Sequence, residues 1–182
     1  PGFDTPTGLV ELKSCIYPAF GEQALPYFEE PYYSPYSDKI SQGVREAFPL
    51  VLTSGGRHIA MFHSEHRQIP SLRSMNPWPL VTIHPDTASK YGISDGDWVE
   101  ISNPLGTCVQ KAKLSTTIDP RVVHAQHAWW FPEQDGEAPN LFGVYKSNIN
   151  NLVPHECVGI TGYGAPYKNV ICNIRKVDSL EG

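Results

Sequence analysis

Four segments of this 182-residue sequence carry residue types suited to chemistry, and the first is the densest. Thr53-Ser54-Gly55-Gly56-Arg57-His58 is followed closely by Phe62-His63-Ser64-Glu65-His66-Arg67. Two successive glycines let backbone approach a ligand closely, and consecutive N–H groups form a nest for an anion. Arg57 and Arg67 supply planar forks that match phosphate oxygens. Between Val51 and Leu80 three arginines (57, 67, 73) face one acid, Glu65, so the stretch is locally +2 in a chain of net charge −5. Such local basicity suits a specific anion better than a polyanion. The plainer reading is a hairpin-like loop with solvated arginines, because Gly-Gly is common punctuation. His58, His63 and His66 do not have H-E-x-x-H spacing, and no Cys or Asp stands beside them. Hydrogen bonding to a heterocycle or phosphate therefore suits them better than a metal.

The second segment runs His124-Ala125-Gln126-His127-Ala128-Trp129-Trp130-Phe131-Pro132-Glu133. Its aromatics would wall a pocket by stacking on flat rings, or else simply close a core. In the third, Ser147-Asn148-Ile149-Asn150-Asn151, the amides both donate and accept, as recognition of a heterocycle edge requires; an Asn-rich turn is the alternative. The last, Gly162-Tyr163-Gly164-Ala165-Pro166-Tyr167-Lys168, brings one lysine that would serve as a point charge or stay a surface residue.

These segments need a scaffold, and the apolar runs supply it. Strands are expected at Leu50–Thr53, Leu80–Ile83, Trp98–Ile101, Cys108–Leu114, Val122–Ala125 and Val170–Ile174. His84-Pro85-Asp86 opens a short helix, with Pro in its first turn and an acid at the positive dipole end, and Gly92 closes it. Six short strands with few helices suggest a mainly β barrel. Residues 1–45 differ, because Pro recurs at 1, 6, 18, 26, 31 and 35 among crowded aromatics. Such a segment cannot hold long helices or central strands. It reads as an extended N-terminal arm with a short helix near Asp38–Ala47, leaving 46–182 for the barrel.

Composition agrees with a turn-rich β domain. The 15 Gly and 17 Pro are close to 18% of the chain, against about 12% in average proteins. The charge of −5 argues against a general nucleic-acid or anionic-membrane binder. No apolar run approaches the roughly 18 residues that span a bilayer. Cys15, Cys108, Cys157 and Cys172 show no paired spacing, so they read as four ordinary thiols rather than as a zinc or iron–sulfur site. The chain opens Pro1-Gly2-Phe3 without Met or a visible signal peptide, which suggests a portion of a longer polypeptide.

In this order, the segments resemble the C-terminal molybdopterin-dinucleotide-binding domain of the molybdopterin oxidoreductases, the dimethyl sulfoxide reductase superfamily. The resemblance rests on Leu52-Thr53-Ser54-Gly55-Gly56-Arg57, His63-Ser64, Ile83-His84-Pro85-Asp86-Thr87-Ala88 and Tyr91-Gly92-Ile93. It continues through Asp95-Gly96-Asp97-Trp98-Val99, Trp129-Trp130-Phe131-Pro132-Glu133, Ser147-Asn148-Ile149-Asn150-Asn151-Leu152 and Tyr167-Lys168. Gly2-Phe3-Asp4-Thr5-Pro6-Thr7-Gly8 resembles the family's run-in to the domain. Two departures stand out. The family loop usually has one glycine before the Arg, and it often has Gly where Ala128 stands.

The resemblance implies a double-psi β-barrel and, in the full-length enzyme, a bis-(molybdopterin guanine dinucleotide) cofactor carrying molybdenum or tungsten. The isolated chain is expected to hold none and to be inactive. The implied cofactor-binding set is Ser54, Gly55, Gly56, Arg57, His58, His63, Ser64, Arg67, Gln126, His127, Asn150, Tyr167 and Lys168. Within it, the loop around Gly56, Arg57, His63 and Ser64 would meet pterin and phosphate, with Asn150 and Lys168 approaching from the far side of the barrel. The tryptophan loop would lie towards the substrate funnel. Metal ligand and any iron–sulfur cluster would come from N-terminal catalytic domains of the same polypeptide, with an iron–sulfur electron-transfer subunit as a further partner. No nucleic acid, membrane insertion or metal ligand within this chain is implied. The family implies a prokaryotic enzyme, commonly of anaerobic respiration, without choosing cytoplasm or periplasm. The tryptophan loop and the Ser-Asn-Ile-Asn run look most like the thiosulfate/polysulfide reductase and acetylene hydratase side of the family. Two rivals stand beside this reading: a double-psi barrel that binds protein or peptide without cofactor, and a metal hydrolase using His58, His63, His66 or His124. Convergence of Arg57, His63, Asn150 and Lys168 on one concave face separates the first rival from the cofactor reading.

Overall fold

Alternation of apolar and polar residues along short strands leaves each with one face to bury, and closing the sheet on itself buries all of them. The computed structural model describes residues 2–155, 166 and 168–182. It contains strands β1 (Leu50–Ser54), β2 (Leu80–Ile83), β3 (Trp98–Asn103), β4 (Gly106–Leu114), β5 (Val122–Ala125) and β6 (Val170–Val177). They close in the order β1-β5-β2-β4-β3-β6. β1 runs parallel to β5 and β2 parallel to β4; the other neighbours are antiparallel. This is the double-psi β-barrel that the resemblance implies. Every strand lies within about three residues of its expected position.

The barrel is filled by alternate residues, among them Leu52, Val81, Ile83, Val99, Ile101, Val123 and Ile174. β4 breaks the alternation, with Cys108, Val109 and Gln110 buried in succession. The cause is a covering layer on its outer face. The short helix α4 (Val144–Ser147) and the 3-10 turn Ile149–Leu152 both pack there. Ser147 Oγ donates to Val109 O at 2.7 Å.

The remaining helices are α1 (Gln42–Ala47), α2 (Pro70–Arg73) and α3 (Pro85–Lys90). α3 starts as its sequence dictates: Pro85 sits in the first turn and His84 caps it by accepting from Asp86 N at 3.2 Å. Gly92 follows in the left-handed region at φ 65°. α1 realises the helix expected near 38–47, four residues shorter at its start, because Ser41 is the residue that caps it.

Residues 1–30 form one compact unit and 31–182 another. The first holds turns and one 3-10 turn, Tyr17–Phe20. In the second, the stretch before α1 is tied to the barrel, since Ile171 N donates to Tyr33 O at 2.9 Å. No described helix is long and apolar enough to cross a membrane.

Candidate functional site

The site is assembled where the parallel strands β1 and β5 end side by side. β1 finishes at Ser54, and the chain then turns through Gly55 at φ 89°, a backbone conformation that suits glycine. Gly56 is glycine for a different reason. A Cβ there would lie 2.6 Å from Nε2 of His124, which β5 presents beside β1. One glycine makes the turn and the next makes room. Arg57 then emerges exposed, its guanidinium 5.5 Å above the Phe62 ring and without a hydrogen bond among the described residues.

The loop beyond is held by a buried arginine. Arg67 is only 3% exposed; its Nη1 donates to His63 O at 2.6 Å and its Nη2 to His127 O at 3.2 Å. It also lies 4.7 Å above the Trp129 ring. Arg67 therefore clamps the β1 loop to the β5 loop with the donors that sequence reasoning reserved for phosphate. Trp130 adds a second tie by donating its indole N–H to Ser64 O at 2.6 Å. Across the join, His63 Nδ1 and His127 Nε2 are 3.3 Å apart, a hydrogen bond between two imidazoles. Three residues here adopt positive φ without being glycine: His63 (48°), His66 (77°) and Ala128 (57°). The glycine often found at the Ala128 position answers to that backbone.

A third element comes from behind β4. Asn148 accepts from Asn150 N at 3.0 Å and donates to Trp129 O at 3.3 Å, which fixes the turn and leaves Asn150 exposed. Lys168 Nζ donates to Ser54 O at 2.5 Å, at the end of β1.

Together these elements frame a cleft of about 330 Å³. Ser54, Gly55, Arg57, His63, His127 and Asn150 line it, with Ile149 and Val153 as its apolar part. A smaller pocket behind it shares Arg57, His63 and His127 and adds Gly56, His58, Arg67 and Gln126. Neither is lined by Asp or Glu. The electrostatics follow. Burial, then the surrounding cations, holds His58, His124 and His127 below the usual imidazole range. Arg67 is lowered to about 10, chiefly by burial and then by Arg73. Ser54 Oγ is buried and has no partner among the described residues.

The implied binding residues thus fall into groups. Ser54, Gly55, Arg57, His63, His127 and Asn150 meet at the cleft, while Gly56, His58, Arg67 and Gln126 stand behind it. Asn150 shares the cleft with Arg57 instead of approaching from the far side of the barrel, because Asn148 anchors its turn to the tryptophan loop. Gln126 is a brace: its Oε1 accepts from Asn76 Nδ2 at 2.9 Å and from Leu80 N at 3.1 Å. Ser64 is exposed and contributes its carbonyl to Trp130. Tyr167 lies outside the described residues. Trp129 is fully buried and also lines the smaller pocket, so it closes the core and walls that pocket at once.

Two supporting residues escaped sequence reasoning, Asn76 and Gln110. Gln110 is fully buried; its Nε2 donates to Gln126 O at 2.9 Å and Ser147 O at 3.0 Å, and its Oε1 accepts from Gln126 N at 3.1 Å. A polar side chain whose every atom is satisfied inside the fold carries no local signal. Among the described residues no three His, Cys, Asp or Glu side chains are grouped to hold a metal ion.

The fold is thus a closed double-psi barrel with a carboxylate-free cleft lined by Arg57, two histidines and an amide. The family model described as "Molydopterin dinucleotide binding domain" matches residues 50–171. The chain belongs to that family. It is 37% identical over 159 residues to the dopamine dehydroxylase of Eggerthella lenta, covering 85% of this chain and 15% of that protein. It is 32% identical over 135 residues to the acetylene hydratase of Syntrophotalea acetylenica, covering 74% of this chain and 18% of that protein. The solved acetylene hydratase of Pelobacter acetylenicus superposes with a TM-score of 0.84 at 27% identity, covering 97% of this chain and 24% of that one. The chain therefore spans less than a quarter of each of these proteins.

Proposed function

We propose that this domain caps and orients a bis-(molybdopterin guanine dinucleotide) cofactor in a molybdenum or tungsten oxidoreductase. The observation that carries the reading is the convergence of Ser54, Arg57, His63, His127 and Asn150 on one cleft without a carboxylate. The donor set fits such a group. Arg57 offers a fork to a phosphate, the Asn150 amide both donates and accepts at a pterin edge, and the buried Ser54 hydroxyl has hydrogen-bonding capacity to spare. When bound, the cofactor supplies the metal and its electron-transfer chemistry. The chain's own part is to neutralise phosphate, fix orientation and tune the metal's surroundings through hydrogen bonds.

In this reading residues 1–45 lead in from preceding domains of the same polypeptide and 46–182 hold the cofactor, although compactness alone groups 31–45 with the barrel. Those preceding domains would supply the metal ligand, and an iron–sulfur subunit would be a further partner. A peptide-binding barrel has no need for these donors to meet, and a histidine-based hydrolase needs a metal cluster that the described residues do not form.

The test is Arg57→Ala in the full-length enzyme. A charge-assisted contact to phosphate is worth about 1.5–3 kcal/mol, so cofactor affinity should fall about ten- to a hundredfold. Molybdenum or tungsten and pterin content, measured on purified enzyme, should drop together. Unchanged content would remove the assignment.

A further inference from the structure

The two imidazoles at the cleft are placed where protons and anions must compete for the same space. His63 Nδ1 and His127 Nε2 stand 3.3 Å apart, so one nitrogen donates and the other must be bare. The pair can therefore hold no more than one proton beyond its neutral form without breaking the contact. Its neighbours oppose even that one. Arg67 binds the backbone carbonyls of both histidines. His124 on β5, His58 and Arg57 in the β1 loop, and Lys168 at the end of β1 complete the surroundings. The nearest acid in sequence, Glu65, lies 3.9 Å from His66 and does not line the cleft. Burial first, then His63, Arg67, His124 and Lys168, hold His127 below the usual imidazole range.

A phosphate in the cleft reverses that balance, because both histidines line it with Arg57. We propose that anion binding in this cleft is proton-linked: seating a phosphate group draws one proton from solvent onto the His63–His127 pair, which then shares it as a hydrogen-bonded imidazole–imidazolium. The proposal rests on the reading of this cleft as a phosphate site. It adds a regulatory property, namely that the domain grips its ligand more tightly as pH falls towards the imidazole range. The depressed affinity of His127 for protons in the ligand-free chain has the sign this requires.

The full-length enzyme, freed of its cofactor, is titrated calorimetrically with GDP-mannose. This probe is a guanosine pyrophosphate diester whose own charge is constant from about pH 6 to pH 8. Titrations at pH 7 in buffers of contrasting ionisation enthalpy count the protons taken up. The expected result is uptake of about half a proton or more per GDP-mannose, with affinity declining up to about tenfold per pH unit on the alkaline side. His63→Gln and His127→Gln should each bind with that uptake abolished. Failure of GDP-mannose to bind at any pH would overturn the phosphate-site reading itself. Binding without proton uptake would overturn the linkage and leave that reading standing. Uptake that survives in the double variant would also overturn it, by locating the proton elsewhere.

Discussion

The barrel has a wall and a mouth, and they treat charge in opposite ways. On the wall, where β3 meets β6, cations are answered. Arg175 donates from Nε and Nη2 to the two Glu100 oxygens, both at 2.7 Å, and Lys176 Nζ is 2.9 Å from Asp97 Oδ2. These bonds raise the Arg175 pKa and lower that of Asp97. At the mouth, where β1 and β5 end, Arg57, Arg67, His63 and His127 face one another with no acid in the lining. The backbone divides in a similar way: His63, His66 and Ala128 hold left-handed torsions around the mouth, Leu141 and Phe142 hold them in a separate 3-10 turn, and the wall has regular ladders. Uncompensated charge and strained backbone cost stability and persist where the surrounding structure holds them for function. The wall holds the barrel closed; the mouth is where we propose an anion is received.

The sharpest way to break this contrast is to remove what braces the mouth. Trp129→Ala empties a fully buried site and takes away the surface on which Arg67 rests. Loss of a buried Trp costs about 3–5 kcal/mol, so a large fall in denaturant midpoint is expected. A small fall would mean the mouth is held by other contacts. Arg175→Ala on the wall, in contrast, breaks a bidentate pair between an exposed Arg and a Glu100 whose side chain is only 15% exposed, and a smaller fall is expected.

Acid should separate the two regions next. His58, His124 and His127 have folded-state pKa values below the ordinary imidazole value, so the unfolded chain binds more protons. Stability contributed by these groups is present above about pH 6.5 and is lost as pH falls below it. Thermal midpoints should therefore decline on acidification through that range, and a bound phosphate ligand should lessen the decline. A midpoint that rises there would contradict the account of the mouth.

The smallest effect concerns one methyl group. Ala128 holds φ 57°, which costs an L-residue roughly 1–2 kcal/mol, part of it returned when glycine's greater unfolded freedom is counted. Ala128→Gly should raise stability by about 0.5–1 kcal/mol, read as a higher denaturant midpoint. A lower midpoint would show that the methyl packs usefully.

How much of this was legible in the sequence follows the same division. The wall and the other strands announce themselves, because alternation such as Trp98-Val99-Glu100-Ile101 is local and so is the Pro85–Gly92 helix. At the mouth the residue types were legible and their roles only partly so. Gly55 and Gly56 look alike in sequence, yet one answers to a torsion and the other to His124 across the barrel. Arg57 and Arg67 likewise look equivalent; only the fold shows that Arg67 is spent on two carbonyls 64 residues apart while Arg57 faces the cleft. Gln110 gave no warning at all, since its partners Gln126 and Ser147 lie on other elements. Contacts between distant parts of the chain have no periodicity to read.

The central claim is that the cationic mouth, and not the wall, receives the dinucleotide. A crystal structure of the full-length enzyme with its cofactor bound tests it most directly. Phosphate oxygens within hydrogen-bond distance of the Arg57 guanidinium, with a pterin edge at Asn150, are the expected result. A cofactor whose phosphates and pterin both lie away from the cleft formed by Ser54, Arg57, His63, His127 and Asn150 would contradict it.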